Sequence, residues 1–568
     1  MNRARPFLIP VLLVLIAGGV YLQTLSFGFV GDDPRQIVLA QSRFTWDQVP
    51  GYFTTDVWSY VERVKGSYYR PVFLVWLLIN YQLFGLNPAL WHASTVAMHI
   101  LATLLLFVLA RRLSGDALLA GIAALLFAVH PAHVEGVAWI SGVTEPLLAV
   151  LSIGSVLCQI QARQNPVRSR WWSSAAVALF ALDGFSKETA IVLPLILFAD
   201  QWLFGSDNKE DKKTRARTAL RSMLPYLQVT VVYVAARIFA LGRFGQAWPW
   251  PRRAMVETIP SAAFFYLRHL LWPWKLGLFY QVAPVTSPGL MNFAVPLVIC
   301  LAALALLVWI SRRDKIAAFF VVLLVVPLLP VLDVANFSSQ DFVHDRYLYL
   351  PSAGLCVLVA IALRRLPRIG IQAALVLPVA ALLAWITVHE SRFWIDDDTL
   401  ERRSLEISPD SVVAARTYAG TLVVTERYPE ALPVLLRVAA VFPKDPDVLY
   451  ALAVCHYRLG DFEGAAIDLR RVIELEPDHP HAHLLLGMAE LQMSHLDAAE
   501  ADMREALRVR PRASAQYSGY HAELGRLLER KGDLGGALAE YEAELKENQD
   551  PSILDRVQAV REKLAHQP

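Results

Sequence analysis

Polar and apolar residues are sorted into long blocks along this chain. A first apolar run covers 7–27, and others follow near 90–110, 117–130, 145–161, 171–185, 189–204, 221–241, 291–310, 316–332, 350–363 and 369–388. A helix needs about 20 apolar residues to cross the hydrocarbon core of a bilayer. The pattern therefore predicts an all-α polytopic bundle of about eleven spans. The run 7–27 has no small-residue cleavage site and is followed by further spans, so it reads as an anchor. Two more apolar stretches, 70–85 and 259–280, are too short or too mixed to span. The second carries Arg268, His269, Trp272, Trp274 and Lys275, a composition suited to the headgroup level.

Beyond about residue 412 the pattern changes to a 34-residue period. Pro443, Pro477 and Pro511 keep that spacing, as do Ala431, Ala465 and Ala499, and Leu452 pairs with Leu486. Leu524–Gly525 and Ala537 continue the series after an insertion at 513–519. Small Ala at a crossing lets two helices approach closely, and Pro ends the second helix of each unit. Gly460–Asp461 and Gly532–Asp533 supply turns. About four helix–turn–helix units are expected over 412–549, with a helix or tail over 550–568 and a linker at 399–411. Such stacks bind peptides or partner proteins.

Charge then fixes orientation. Arg3 and Arg5 precede the first span, placing the N-terminus in the cytoplasm. With eleven spans, the later cytoplasmic loops hold Arg111 and Arg112, then 163–170, 209–221, 312–315 and 364–368, and every one is basic. An odd count puts the repeats on the opposite, outer side. The polar motifs at Asp32–Asp33, 130–135, 186–188 and 344–347 fall on that same side.

Composition agrees with the division. Hydrophobic residues make up 55% of the 568 and charged ones 18%, and all 15 Trp lie between Trp46 and Trp394. A net charge of +2 argues against a nucleic-acid partner. Cys158, Cys300, Cys356 and Cys455 show no pairing or metal spacing and read as small buried hydrophobes.

The polar outer face supplies the candidate chemistry. Asp32 and Asp33 follow the first span, either as the start of a solvated loop or as a carboxylate pair at the mouth of the bundle. His130, His133 and Glu135 close the third span, and their spacing fits metal ligands or a helix cap. Glu145 begins the next span. Lys187 and Glu188 form a turn where Gly, Asn or Pro would be ordinary. Arg346 could meet a phosphate. Asp396, Asp397 and Asp398 read as a solvated linker. The acids and nearby His allow a divalent cation without requiring one.

Taken in order, these motifs resemble the transmembrane and tetratricopeptide-repeat-containing protein O-mannosyltransferases and their bacterial relatives, within the GT-C superfamily. The resemblance rests on Phe29-Val30-Gly31-Asp32-Asp33, Tyr69-Arg70-Pro71, Trp91-His92 with His99, and His130-Pro131-Ala132-His133-Val134-Glu135-Gly136-Val137-Ala138-Trp139-Ile140. It continues through Ser186-Lys187-Glu188-Thr189 and Arg346-Tyr347-Leu348-Tyr349-Leu350-Pro351-Ser352. It implies a GT-C-like domain over 1–398, with a first outer loop at 27–88. It also implies inverting transfer of a sugar from a polyprenyl-phosphate carrier to a Ser/Thr hydroxyl on the periplasmic or lumenal face. On the match Asp32 is the candidate base and Asp33 its partner, while Arg70, Lys187 and Arg346 would hold the departing phosphate. The chain departs from those relatives at Ser141-Gly142-Val143-Thr144-Glu145, where a basic residue is usual, and at Pro34-Arg35. Transfer to envelope glycan or lipid is the alternative within enzymes, and a scaffold or transporter the alternative outside them. Compact loops and Arg/Ala-rich composition suit a bacterial inner membrane, with the endoplasmic reticulum as runner-up.

Overall fold

A computed structural model describes residues 7–62, 66–205, 211–242, 251–334, 341–510, 519–548 and 551–566. Arg3, Arg5, Lys209, Pro511 and 513–518 of the insertion lie outside the described residues. The chain divides into two compact units, Met1–Ser408 and Pro409–Pro568. Both are helical, and there is no β-strand among the described residues.

Seven helical stretches of the first unit are long and apolar enough to cross a membrane: Pro88–Ser114, Ser141–Gln164, Leu224–Leu241, Leu290–Ser311, Lys315–Leu332, Asp345–Arg364 and Ile369–Trp394. An eighth is a pair, Ala117–Ala128 and Pro131–Ala138, bent by 56°. Pro131 has no amide hydrogen and cannot continue the ladder. The remaining three expected runs are helical but shorter, broken or more polar. The first is Leu8–Gly19 followed by a 3-10 turn, Leu22–Ser26. The second is Ser169–Ser186, which holds Arg170 and Asp183, and the third is split into Glu188–Val192 and Leu193–Phe204. By length and composition the spans number seven or eight among the described residues, against the eleven expected.

The stretch 70–85 is the short helix Pro71–Phe84. Its Phe73, Leu74, Leu77 and Leu78 pack with Ile37, Phe44, Trp91 and Ile140 in one apolar cluster. The stretch 259–280 is helical only to Leu271, within Arg252–Leu271. Trp272 precedes Pro273, and the residue before proline is driven out of the helical region.

One expectation changes here. The stretch read as a solvated linker is a helix, Asp397–Ile407, with Leu400, Glu401 and Ser404 buried against the first unit. Leu400 and Ser404 share a face at i, i+4 spacing. The Ser404 hydroxyl accepts from the Leu278 amide at 3.1 Å.

The second unit consists of paired helices. Val412–Val424 pairs with Tyr428–Val441, Pro446–Arg458 with Phe462–Leu475, Pro480–Gln492 with Leu496–Val509, and Tyr520–Lys531 with Leu534–Glu547; Pro551–Ala565 follows. Ala431, Ala465, Ala499 and Ala537 are fully buried. A Cβ at Gly487 would lie 2.6 Å from Met503 Cγ and 3.0 Å from the Ala499 carbonyl oxygen, so a larger residue there would force the crossing to shift. Asp461 and Asp533 cap the second helices through the Gly464 and Gly536 amides at 2.9 and 2.8 Å.

Candidate active site

The loop after the first apolar run enters a tight turn at Val30–Asp33, closed by the Asp33 amide on the Val30 carbonyl at 3.1 Å. Gly31 adopts φ +61°, a backbone region open to glycine at little cost. Asp33 is fully buried. Its Oδ1 accepts from the Ser141 amide at 2.9 Å and the Ser141 hydroxyl at 2.5 Å, while Oδ2 accepts from the Val30 amide at 3.3 Å. Burial pushes its carboxyl up to about 7, against the pull of those hydrogen bonds. Asp32, half-buried beside it, accepts the Gln36 amide on its carbonyl at 2.8 Å and leads into the helical turn Pro34–Val38.

The three candidate phosphate-binding cations are each joined to one of the candidate glutamates. Arg70 grips Glu188 through a two-bond fork, Nε to Oε2 at 2.8 Å and Nη2 to Oε1 at 2.7 Å. Burial alone would lower the arginine and raise the acid, but their mutual attraction overrides both. Arg70 is held above its ordinary range and Glu188 falls to about 2. Lys187 pairs with Glu145, the two side chains 2% and 3% exposed. Burial brings that ammonium down to about 8, with Glu145 opposing the shift. Arg346 pairs with Glu135, whose other oxygen accepts the Arg346 amide at 2.9 Å. Tyr347 gathers two of the cations, with Lys187 Nζ and Arg346 Cζ each 5.1 Å from its ring centroid.

His130 and His133 are bound into the scaffold. His130 caps the turn after it, Nδ1 accepting from the Ala132 amide at 3.3 Å, while Nε2 donates to the Leu270 carbonyl at 3.1 Å. His133 Nε2 meets the Ser352 hydroxyl at 2.7 Å. Among the described residues no three His, Cys, Asp or Glu side chains converge as a metal set.

Trp139 joins the acid turn to the cations. Its Nε1 donates to the Val30 carbonyl at 3.1 Å, and Arg346 Cζ lies 5.6 Å from its ring centroid. The Trp139 indole thus links the Val30–Asp33 turn to Arg346 and, through it, Glu135, with Lys187 and Glu145 reached through Tyr347. His130 and His133 serve backbone and core.

Several participants were missed from sequence. Ser141 lies where a basic residue was expected, and that departure was the available signal. Asp345, within the polar stretch 344–347, accepts from His269 Nδ1 at 2.5 Å and from the Tyr280 hydroxyl, but nothing local in the sequence announces those partners.

The tetratricopeptide repeat family matches residues 420–486 and again 484–552. Over 496 residues the chain is 27% identical to the human protein O-mannosyl-transferase TMTC1, an alignment covering 77% of this chain and 55% of that protein. Mouse protein O-mannosyl-transferase TMTC3 is 23% identical over 561 residues, 89% of this chain and 60% of its own. The chain spans a little over half the length of these curated relatives. Among solved structures, ArnT from Cupriavidus metallidurans bound to undecaprenyl phosphate aligns with 81% of this chain and 79% of its own, at 18% identity and a TM-score of 0.38.

Proposed function

We propose, from its similarity to the TMTC protein O-mannosyl-transferases, that this chain is a membrane glycosyltransferase moving a mannose-like sugar from a polyprenyl-phosphate carrier to a Ser/Thr hydroxyl of a protein. The reaction faces the periplasm or lumen, where the repeats would engage the acceptor or a partner protein.

The chemistry follows from two needs. A hydroxyl attacking the anomeric carbon must lose its proton, and a positioned carboxylate of suitable basicity can take it. Asp32 fills that role, with Asp33 fixing the turn. As the carbon–oxygen bond to the carrier breaks on the opposite side, the phosphate takes up the electron pair and the configuration inverts. The growing negative charge calls for fixed cations. Arg346, 15% exposed, and Arg70, 17% exposed, are the groups that can turn toward it. Lys187 is too deeply buried to reach a headgroup in this conformation and acts through Glu145 and Tyr347.

The observation that carries this reading is the Trp139 bridge, which puts the acid turn and the Arg346 guanidinium on the same ring. Membranes supplied with polyprenyl-phosphate-mannose and a Ser/Thr peptide should show sugar transfer by the intact chain. Asp32→Asn should lower kcat by about 10²–10⁴-fold. Transfer that persists unchanged in Asp32→Asn removes Asp32 as the base.

A further inference from the structure

Three consecutive acids follow the last long helix, and the first two make different contacts. Asp396 is the N-cap of Asp397–Ile407, its Oδ1 accepting from the Thr399 amide at 2.8 Å. Asp397 reaches across 366 positions of sequence, where its Oδ1 accepts from the Gly31 amide at 2.6 Å. The same segment holds the loop at two further points. The Gly28 amide donates to the Ile395 carbonyl at 3.2 Å, and Trp394 stacks on Trp139 with centroids 6.1 Å apart and rings 28° from parallel. Trp139 in turn holds the Val30 carbonyl. The turn that carries Asp32 is therefore gripped on its amide side by Asp397 and on its carbonyl side by Trp139.

We infer that Asp397 is a positioning residue for the acid turn: by fixing the Gly31 amide it sets the direction in which the next residue, Asp32, projects. The inference rests on the reading of Asp32 as the base. Gly31, at φ +61°, has wide conformational freedom and little intrinsic preference among its wells, so the direction of its peptide planes is set by the hydrogen bonds made to the turn. A carboxylate displaced by about 1 Å from its productive position loses on the order of 10²-fold in rate. Asp396 already satisfies the end of the helix, so the Gly31 contact is not needed to cap Asp397–Ile407.

The test compares full-length wild type, Asp397→Ala and Asp397→Asn, all in nanodiscs. Three quantities are read: kcat and donor KM for mannose transfer from polyprenyl-phosphate-mannose to a Ser/Thr peptide, and hydrogen exchange of the Gly31 amide by mass spectrometry. Asn keeps an oxygen acceptor and Ala does not. Asp397→Ala should lower kcat by about tenfold or more, leave donor KM near wild type and speed Gly31 exchange, whereas Asp397→Asn should retain most of kcat and the Gly31 protection. The inference is overturned if Gly31 exchange is unchanged in Asp397→Ala, if kcat is unchanged there, or if Ala and Asn lose activity equally. A wild type that transfers no sugar sinks the catalytic reading itself. The exchange arm still reports, in that case, whether the clamp exists.

Discussion

Lys187 and Arg508 are both cations paired with a glutamate, yet they belong to different kinds of structure. Lys187 and Glu145 are 2% and 3% exposed in the first unit. Arg508 and Glu505, three residues apart on one repeat helix, are 65% and 36% exposed. In the buried pair, each charge has lost its water and depends on the other. The attraction roughly offsets the desolvation, and removing one partner strands the other. In the exposed pair, water serves either charge nearly as well, and the net contribution is small. The Lys187–Glu145 pair thus ties together residues 42 positions apart, while the Arg508–Glu505 pair decorates a solvated face.

That contrast can be tested, beginning with the largest effect. Glu145→Gln leaves the Lys187 ammonium buried without a counter-ion and should cost about 3–5 kcal/mol of stability, read as a lower melting temperature in detergent. Glu145→Gln with Lys187→Met should recover most of that loss. A single mutant that melts like wild type would mean that the pair is solvated. Next, Arg346→Lys replaces a planar fork by a point charge. It should raise donor KM about tenfold, roughly 1.4 kcal/mol of binding, with less effect on melting.

A smaller effect concerns pH. The Asp33 carboxyl lies at about 7 in the folded protein against an ordinary 3.8. The folded state therefore holds the proton more tightly than the unfolded state. The resulting stability is fully present below about pH 4, declines as pH rises and is gone above about pH 7. Asp33→Asn lacks this term, so the melting advantage of wild type over the variant should shrink between pH 4 and 7. An advantage that grows over that interval would reverse the assigned shift. Finally, Arg508→Ala should leave the melting temperature unchanged within error, and a clear drop would show that the exposed pair is not merely solvated.

The repeats were the most legible part of the sequence, because their signal is local and periodic. Ala465 and Ala499 mark helix crossings wherever they recur, and both are fully buried. The long apolar runs were legible for the same reason, though their breaks were not. The 3-10 turn at Glu188–Val192 leaves the apolar composition of its run unaltered while shortening the helix. The candidate polar residues can be picked out of the sequence by type, but their partners cannot. Arg346 and Glu135 are 211 positions apart, and Arg70 and Glu188 are 118 apart. No spacing rule reaches that far. Asp397 was read as solvated because an acidic triplet ordinarily is, and only the folded chain shows it holding the Gly31 amide.

The bend between Ala117–Ala128 and Pro131–Ala138 settles a matter of protons elsewhere in the bundle. Past the break, the Ala132 amide turns to His130 Nδ1 and the His133 amide to the His130 carbonyl, so the oxygens of Ala128 and Val129 lose their helical donors. Hydrocarbon offers no substitute. Thr387 supplies one, its hydroxyl 2.8 Å from the Val129 oxygen, and His99 Nε2 supplies the other at 3.1 Å from that of Ala128. A carbonyl has only lone pairs to give, so His99 carries its hydrogen on Nε2, and its bare Nδ1 receives the Tyr349 hydroxyl at 2.6 Å. A kink in one helix thereby selects the tautomer of an imidazole on its neighbour.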